Sequence, residues 1–189
     1  MQQIDTGAKP PESGIFGFMI NGSAFLGAVT MYVRYLIVKK QNEITDFISP
    51  SCNVLALCVG LLGCIGMCIV ASFQELTVPA VHDGGALVAF VSGALYILIQ
   101  TVISYRSCPQ WSTPCTCHTR LFISIMTSIA IIPSILFGML LNEYTNWLYG
   151  LGRLAAVIQH LTFLSLIACA SLISITKIDW NPGEKVKPH

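Results

Sequence analysis

Long apolar stretches alternate with short polar segments along this chain of 189 residues. Five of the stretches contain 19 to 23 residues each. At about 1.5 Å of helical rise per residue, each covers the roughly 30 Å of hydrocarbon in a bilayer. In order they are Ile15–Val33, Val54–Phe73, Gly84–Tyr105, Leu121–Leu141 and Leu154–Thr176. The pattern predicts a polytopic membrane protein with about five transmembrane helices.

Backbone hydrogen bonding decides between helices and strands for these stretches. In lipid only helices and closed barrels satisfy their own backbone, and barrel strands are segments of about ten residues with alternating hydrophobicity. Continuous apolar runs fit helices, so the predicted fold class is all-α, a helical membrane bundle. Because the stretches fill most of the chain, we expect a single membrane domain over residues 1–189 with a polar C-terminal tail at 177–189.

The composition agrees with a membrane location, and the distribution of charge indicates how the chain is oriented in the membrane. Apolar residues make up 54% of the chain and charged residues 10%, where a soluble domain carries about 25% charge. If all five stretches span, eight basic residues fall on one side and Lys9 and Arg153 on the other. The positive-inside rule then assigns the first group to the cytosol. That group is Arg34, Lys39, Lys40, Arg106, Arg120, Lys177, Lys185 and Lys187. The net charge of +1 gives no indication of a nucleic-acid partner.

Three titratable residues lie together on the predicted lumenal side, between the second and third stretches. They are Glu75, His82 and Asp83. We expect Asp83 to cap the third helix, because a carboxylate accepts hydrogen bonds from the first free amides of a helix. The alternative is that His82 senses lumenal acidity, since histidine changes charge between pH 5 and 8.

Small residues recur at a spacing of four in two stretches. Gly85, Ala89 and Gly93 follow this spacing in the third stretch, and Ser23 and Gly27 follow it in the first. Such residues lie on one helix face and let helix backbones approach closely. They are candidates for helix packing, although membrane helices are rich in glycine in any case.

The interiors of the stretches hold few polar side chains and no carboxylate. Asn21 and Gln100 are candidates for hydrogen bonds between helices. Gln159 and His160 are further polar positions, and the alternative role of these groups is to line a substrate path. The absence of carboxylates argues against a proton-coupled pump.

The eight cysteines indicate neither disulfides nor a metal site. Four lie within apolar stretches, and four lie in loops assigned to the reducing cytosol, which disfavours disulfides. The spacing of Cys108, Cys115, Cys117 and His118 does not match a regular zinc motif. We also find no glycine-rich phosphate loop and no nucleophile elbow. We therefore predict no enzyme activity, no catalytic residue, no metal and no cofactor.

Several longer runs of this chain resemble the DNA-damage-regulated autophagy modulator (DRAM) family, and the founding member of that family most closely. They follow the family order over most of the chain. The runs are IDTGAKPPESGIFGFMIN at 4–21, SAFLGAVTMYVRY at 23–35, FQELTVPAVHDGGAL at 73–87, SYRSCPQW at 104–111 and CASLISITKIDWNP at 169–182.

The resemblance implies a protein of the lysosomal and other endomembranes that promotes autophagy and couples stress to cell death. It brings no catalytic residue with it. Its expected partners are the lipid bilayer and other membrane or autophagy proteins. Two alternatives stay open: a small transporter or channel subunit, and a non-functional truncated isoform retained in the endoplasmic reticulum.

The chain departs from the family pattern in three places. The family's first and last spans have no counterpart, and about 33 additional residues near Ser134–Leu166 interrupt the fifth family span. The insertion is apolar enough to turn one crossing into two. The alternative is that one of the last two stretches is interfacial or re-entrant.

Overall fold

The computed structural model describes residues 11–73 and 78–140. Within that part of the chain four α-helices and no strand are present, which confirms the all-α prediction there. The helices are α1 (Glu12–Thr45), α2 (Pro50–Ser72), α3 (Pro79–Arg106) and α4 (Pro114–Leu140). The fifth apolar stretch, Leu154–Thr176, lies outside the described residues.

Local sequence explains where the helices begin and where α1 ends. Pro50, Pro79 and Pro114 each occupy the first position of a helix, where the missing amide proton is not needed and the fixed φ suits the helix. At the other end of α1, Asp46 adopts a left-handed conformation with φ 44°. Its amide donates to the carbonyl of Asn42, an arrangement that closes helix ends.

Among the described residues, three helices are long and apolar enough to cross a membrane, over Ser13–Thr45, Pro50–Ser72 and Pro79–Arg106. They contain the first and third predicted stretches and all but the last residue of the second, and the chain is an integral membrane protein on this basis. Helix α4 contains all but the last residue of the fourth stretch. Each of the four helices extends beyond its apolar stretch at one end or at both ends.

The helices pack in chain order, α1 on α2, α2 on α3 and α3 on α4. Their short connections make neighbouring helices antiparallel. We call the end that holds residues 46–49 and 107–113 the basic end, because Arg34, Arg106 and Arg120 lie toward it. The exposed surface of α1 is strongly apolar. Phe18 is 77% exposed and Phe25 67% exposed, as expected for side chains that face lipid.

Glycine allows α2 and α3 to approach closely. A Cβ atom on Gly66 would lie 2.6 Å from the backbone nitrogen of Ala89 and 2.8 Å from the carbonyl oxygen of Gly85. A Cβ on Gly85 would lie 2.6 Å from Cγ2 of Ile69. Any larger residue at Gly66 therefore requires the two backbones to move apart.

Candidate functional site

Two arginines are buried at the basic end of the bundle. Arg34 of α1 and Arg120 of α4 are each 6% exposed. Both reach polar groups of α3, which lies between them: Nε of Arg34 donates to Oε1 of Gln100 at 3.2 Å, and Nη1 of Arg120 donates to Oγ of Ser104. We call these four residues, Arg34, Gln100, Ser104 and Arg120, the arginine cluster.

The spacing on α3 explains why the two arginines meet. Gln100 and Ser104 are four residues apart and so lie one turn from each other on the same helix face. The Ser104 hydroxyl donates to the carbonyl of Gln100 at 2.7 Å, which leaves its lone pairs for Arg120. The Arg34 guanidinium is close enough to Arg120 to be repelled by it. The cluster is thus a concentration of positive charge held by neutral acceptors.

Further buried groups surround the cluster. Tyr96, one turn before Gln100 on α3, is 4% exposed and interacts electrostatically with both guanidiniums. Sγ of Cys117, one turn before Arg120 on α4, donates to the carbonyl of Ser104 at 3.3 Å. Guanidinium groups in such surroundings bind planar or tetrahedral oxyanions through several N–H donors at once. None of these residues supplies an activated nucleophile.

The sequence pattern alone does not predict this cluster. By that pattern Arg34 and Arg120 are flanking charges that face the cytosol, because basic residues at helix ends normally do. Arg34 directly follows the first apolar stretch and Arg120 directly precedes the fourth, with no polar spacer. Arg106 directly follows the third stretch in the same way and is exposed, so this position alone does not predict burial.

The two polar candidates of the sequence analysis have different surroundings. Gln100 accepts the hydrogen bond from Arg34 and so joins α3 to α1. Asn21 is exposed, and its Nδ2 donates to the carbonyl of Gly17, one turn back on its own helix, at 3.0 Å. Gln159 and His160 lie outside the described residues.

The small-residue candidates lie largely inside the bundle. Gly85, Ala89 and Gly93 are buried on α3, on the face toward α2. A Cβ on Gly27 would lie 3.6 Å from Sγ of Cys64 on α2. Ser23 is half-buried on α1.

At the opposite end of the bundle, the structure differs from the prediction that Asp83 caps the third helix. Helix α3 begins at Pro79 with Val78 at the cap position, so Asp83 lies in the second turn. The capping role assigned to Asp83 is corrected accordingly, and the reason is that Pro79 starts the helix earlier than the apolar pattern does. Nδ1 of His82 lies 2.8 Å from the carbonyl oxygen of Phe73. Glu75 lies outside the described residues.

The described cysteines are all free. Within residues 11–73 and 78–140, no group of three or more His, Cys, Asp or Glu side chains could hold a metal ion. His118 instead lies 3.1 Å from the hydroxyl of Tyr105 at the exposed surface.

Comparison with known proteins identifies similar sequences over nearly the whole chain. The family model described as the Frag1/DRAM/Sfk1/Cwh43P N-terminal domain matches residues 4–176. The chain is 54% identical over 181 residues to DNA damage-regulated autophagy modulator protein 1 of Mus musculus, which covers 96% of this chain and 63% of that protein.

Two further relatives are also similar to most of this chain. The human protein of the same name is 53% identical over 181 residues, again 96% of this chain and 63% of its own length. DNA damage-regulated autophagy modulator protein 2 of Mus musculus is 37% identical over 152 residues, which is 76% of this chain and 57% of that protein. The chain therefore spans less than two thirds of the length of these relatives. No solved structure matches it.

Proposed function

This chain belongs to the Frag1/DRAM/Sfk1/Cwh43P family, and on that premise we propose that it is a non-enzymatic membrane protein that modulates autophagy. The observation that carries the proposal is the 53 to 54% identity over 181 residues to proteins named for autophagy modulation. The three apolar helices support a membrane location for that role. The proposal extends from relatives that are longer than this chain.

Autophagic flux in cells that lack the endogenous relative tests the proposal. Expression of this chain is expected to change flux, measured as the difference in lipidated autophagosome marker with and without a block of lysosomal degradation. A Gly66→Trp variant should lose the effect, because a large side chain separates α2 from α3. A Gly22→Ala variant, with open space around the new Cβ, should keep it. No change in flux at matched expression levels would contradict the proposal.

The membrane in which the chain acts is part of the same proposal. The family resemblance supports the endolysosomal membrane. Fractionation of cells expressing the tagged chain should place it with lysosomal markers. Retention with endoplasmic-reticulum markers together with rapid turnover would instead favour the truncated isoform without function.

We further propose five crossings in a single membrane domain, with the N-terminus on the lumenal side. Helices α1 to α3 are long and apolar enough for three of these crossings, and α4 and the stretch Leu154–Thr176 would add two. Eight basic residues on one side support the direction. A tag placed after His189 should be digested by protease added to the cytosolic side, whereas a protected tag would rule out this topology.

The partners proposed for this role are the lipid bilayer and other membrane or autophagy proteins. An adaptor acts through contacts, so the reconstituted chain should carry no ion or solute flux. Crosslinking in intact membranes is expected to capture autophagy proteins with the chain, and the Gly66→Trp variant should lose them.

A further inference from the structure

Arg34 has more hydrogen-bond donors than its surroundings use. A guanidinium carries five N–H donors, and the described residues accept one of them, from Nε to Gln100. The donors of Nη1 and Nη2 have no acceptor among the described residues, although the side chain is 6% exposed. A buried charge is costly unless a counter-ion or a set of hydrogen bonds compensates it. Among the described residues, the two Nη groups of Arg34 are therefore open to an acceptor from another molecule.

The charges near Arg34 make an anion the fitting occupant. Arg120 adds a second guanidinium, and the two repel each other. The four described carboxylates lie elsewhere. Glu43 pairs with Lys40 at 3.1 Å, Asp46 follows the last residue of α1, and Glu12 and Asp83 lie toward the opposite end of the bundle. An anion next to Arg34 would accept hydrogen bonds from the unused donors. It would also reduce the repulsion between the two guanidinium groups.

The depth of the cluster points to the headgroup region of a lipid leaflet. Gln100 lies six residues before Arg106, the last residue of α3, or about 9 Å along the helix axis at 1.5 Å per residue. Arg34 and Arg120 each lie at the end of an apolar stretch. Lipid headgroups begin where the hydrocarbon ends, so the two arginines lie next to them, and basic pockets between transmembrane helices bind anionic headgroups.

We propose that the arginine cluster binds the phosphate group of an anionic phospholipid in the leaflet at the basic end of the bundle. Gln100 holds Nε of Arg34 and thereby leaves both Nη groups for a bidentate contact with phosphate oxygens. Ser104 accepts a hydrogen bond from Nη1 of Arg120, which holds the second positive charge at the same end of the bundle. Because the two arginines come from α1 and α4, the bound phosphate links helices that do not adjoin in the packing order. The proposal is independent of a role in autophagy.

The test uses the purified full chain in nanodiscs of phosphatidylcholine, with or without phosphatidic acid, whose headgroup is a phosphate alone. The readouts are the midpoint of thermal unfolding and the amount of phosphatidic acid that stays bound in native mass spectrometry. Phosphatidic acid is expected to raise the midpoint of the wild-type chain by several degrees. A third sample, with inorganic phosphate in phosphatidylcholine discs, separates the lipid from free phosphate.

Three variants assign the effect to the cluster. Arg34→Gln removes the unused donors and should weaken phosphatidic acid binding about tenfold or more, since a hydrogen bond to a charged group is worth at least a tenfold change. Arg106→Gln removes the same charge from an exposed position at the same end and should leave binding unchanged. Gln100→Glu places a carboxylate beside Arg34. It should reach the lipid-stabilised midpoint in phosphatidylcholine alone and gain nothing from phosphatidic acid.

The outcomes separate the possibilities. Loss of the lipid effect in Gln100→Glu supports the proposal even if Arg34→Gln fails to fold. An equal gain from phosphatidic acid in the wild type, Arg34→Gln and Gln100→Glu would overturn it, because the effect would then come from general surface charge. An equal gain from inorganic phosphate without phosphatidic acid would overturn the assignment to a lipid.

Discussion

Arg34 of α1 and Gln100 of α3 are 66 residues apart in the chain and are joined by a hydrogen bond of 3.2 Å between Nε and Oε1. Helices α1 and α3 each pack mainly on α2, so this bond connects two elements that are not neighbours in the packing order. Within the apolar surroundings of the bundle a hydrogen bond to a charged group is strong, and its loss leaves a buried charge with fewer acceptors. The position of α1 relative to α3 depends on it.

We expect Gln100→Leu to destabilise the protein by about 1.5 to 3 kcal/mol, the usual cost of losing a hydrogen bond to a charged group. The free energy of unfolding can be measured by denaturant titration in mixed micelles. The control is Gln110→Leu, since Gln110 is exposed in the turn after α3. Equal stability of the two variants would show that the Arg34 bond contributes nothing.

We expect that even the addition of one methyl group at Gly66 weakens the contact between α2 and α3. A Cβ at Gly66 would lie 2.6 Å from the backbone nitrogen of Ala89, and overpacking of this kind costs about 1 to 3 kcal/mol. Gly66→Ala should lower the stability by that amount in the same titration. Gly22→Ala, which meets no atom within 4 Å, serves as the control and should not be destabilised. A Gly66→Ala variant as stable as Gly22→Ala would contradict the observed helix spacing.

The loop after α3 is fastened to the end of α1 by a side-chain hydrogen bond. Nε1 of Trp111 donates to Oγ1 of Thr45 at 3.1 Å. Thr45→Val keeps the shape but removes the acceptor, and we expect a loss of about 0.5 to 1.5 kcal/mol. Thr45→Ser keeps the hydroxyl and should remain close to wild type. Trp111 fluorescence, recorded with Trp147 and Trp180 replaced by Phe, should change in Thr45→Val alone.

The helices were predictable from the sequence because membrane insertion and helix packing leave local patterns. Apolar length predicts α1 to α3, since the bilayer sets a minimum span. The spacing of Gly85, Ala89 and Gly93 predicts a close-packed face because a period of four places residues on one side of a helix. Both patterns can be recognised within one helix, without knowledge of its neighbours.

The arginine cluster was not predictable in the same way. It requires residues from α1, α3 and α4, so it depends on which faces of three helices meet. The positive-inside rule assigns Arg34 and Arg120 to the same side, as their shared end of the bundle requires, but says nothing of their burial. Helix starts were missed for a simpler reason: the apolar pattern begins at Gly84, whereas Pro79 already begins α3. As a result Asp83 was placed at the cap.

His82 links the start of α3 to the end of α2. Its Nδ1 lies 2.8 Å from the carbonyl oxygen of Phe73, and since a carbonyl can only accept, Nδ1 carries the proton. His82→Leu should remove the link and speed hydrogen exchange of the amides in the first turn of α3. His82→Gln supplies another donor and should slow exchange again toward the wild-type rate. Identical exchange in all three proteins would show that the bond does not hold the helix start.

Cysteine labelling tests both the burial of α4 and the direction of the chain. Cys115 is exposed, whereas Cys117 is 0% exposed. Burial also raises the pKa of the Cys117 thiol, chiefly by desolvation, so less of it is present as the reactive thiolate at neutral pH. Among variants with one cysteine, Cys115 should react with a water-soluble maleimide at least about tenfold faster than Cys117, as the thiolate must be accessible to react.

The same two variants decide the sidedness. If the basic end faces the cytosol, a membrane-impermeant maleimide should label Cys115 only after the plasma membrane has been permeabilised, with organelle membranes left intact. Unfolding in detergent should bring Cys117 to the same rate as Cys115, which shows that burial protects it. Labelling of Cys117 should also rise with pH, because its raised pKa delays thiolate formation. Cys115 that reacts only after organelle membranes are opened would reverse the predicted orientation.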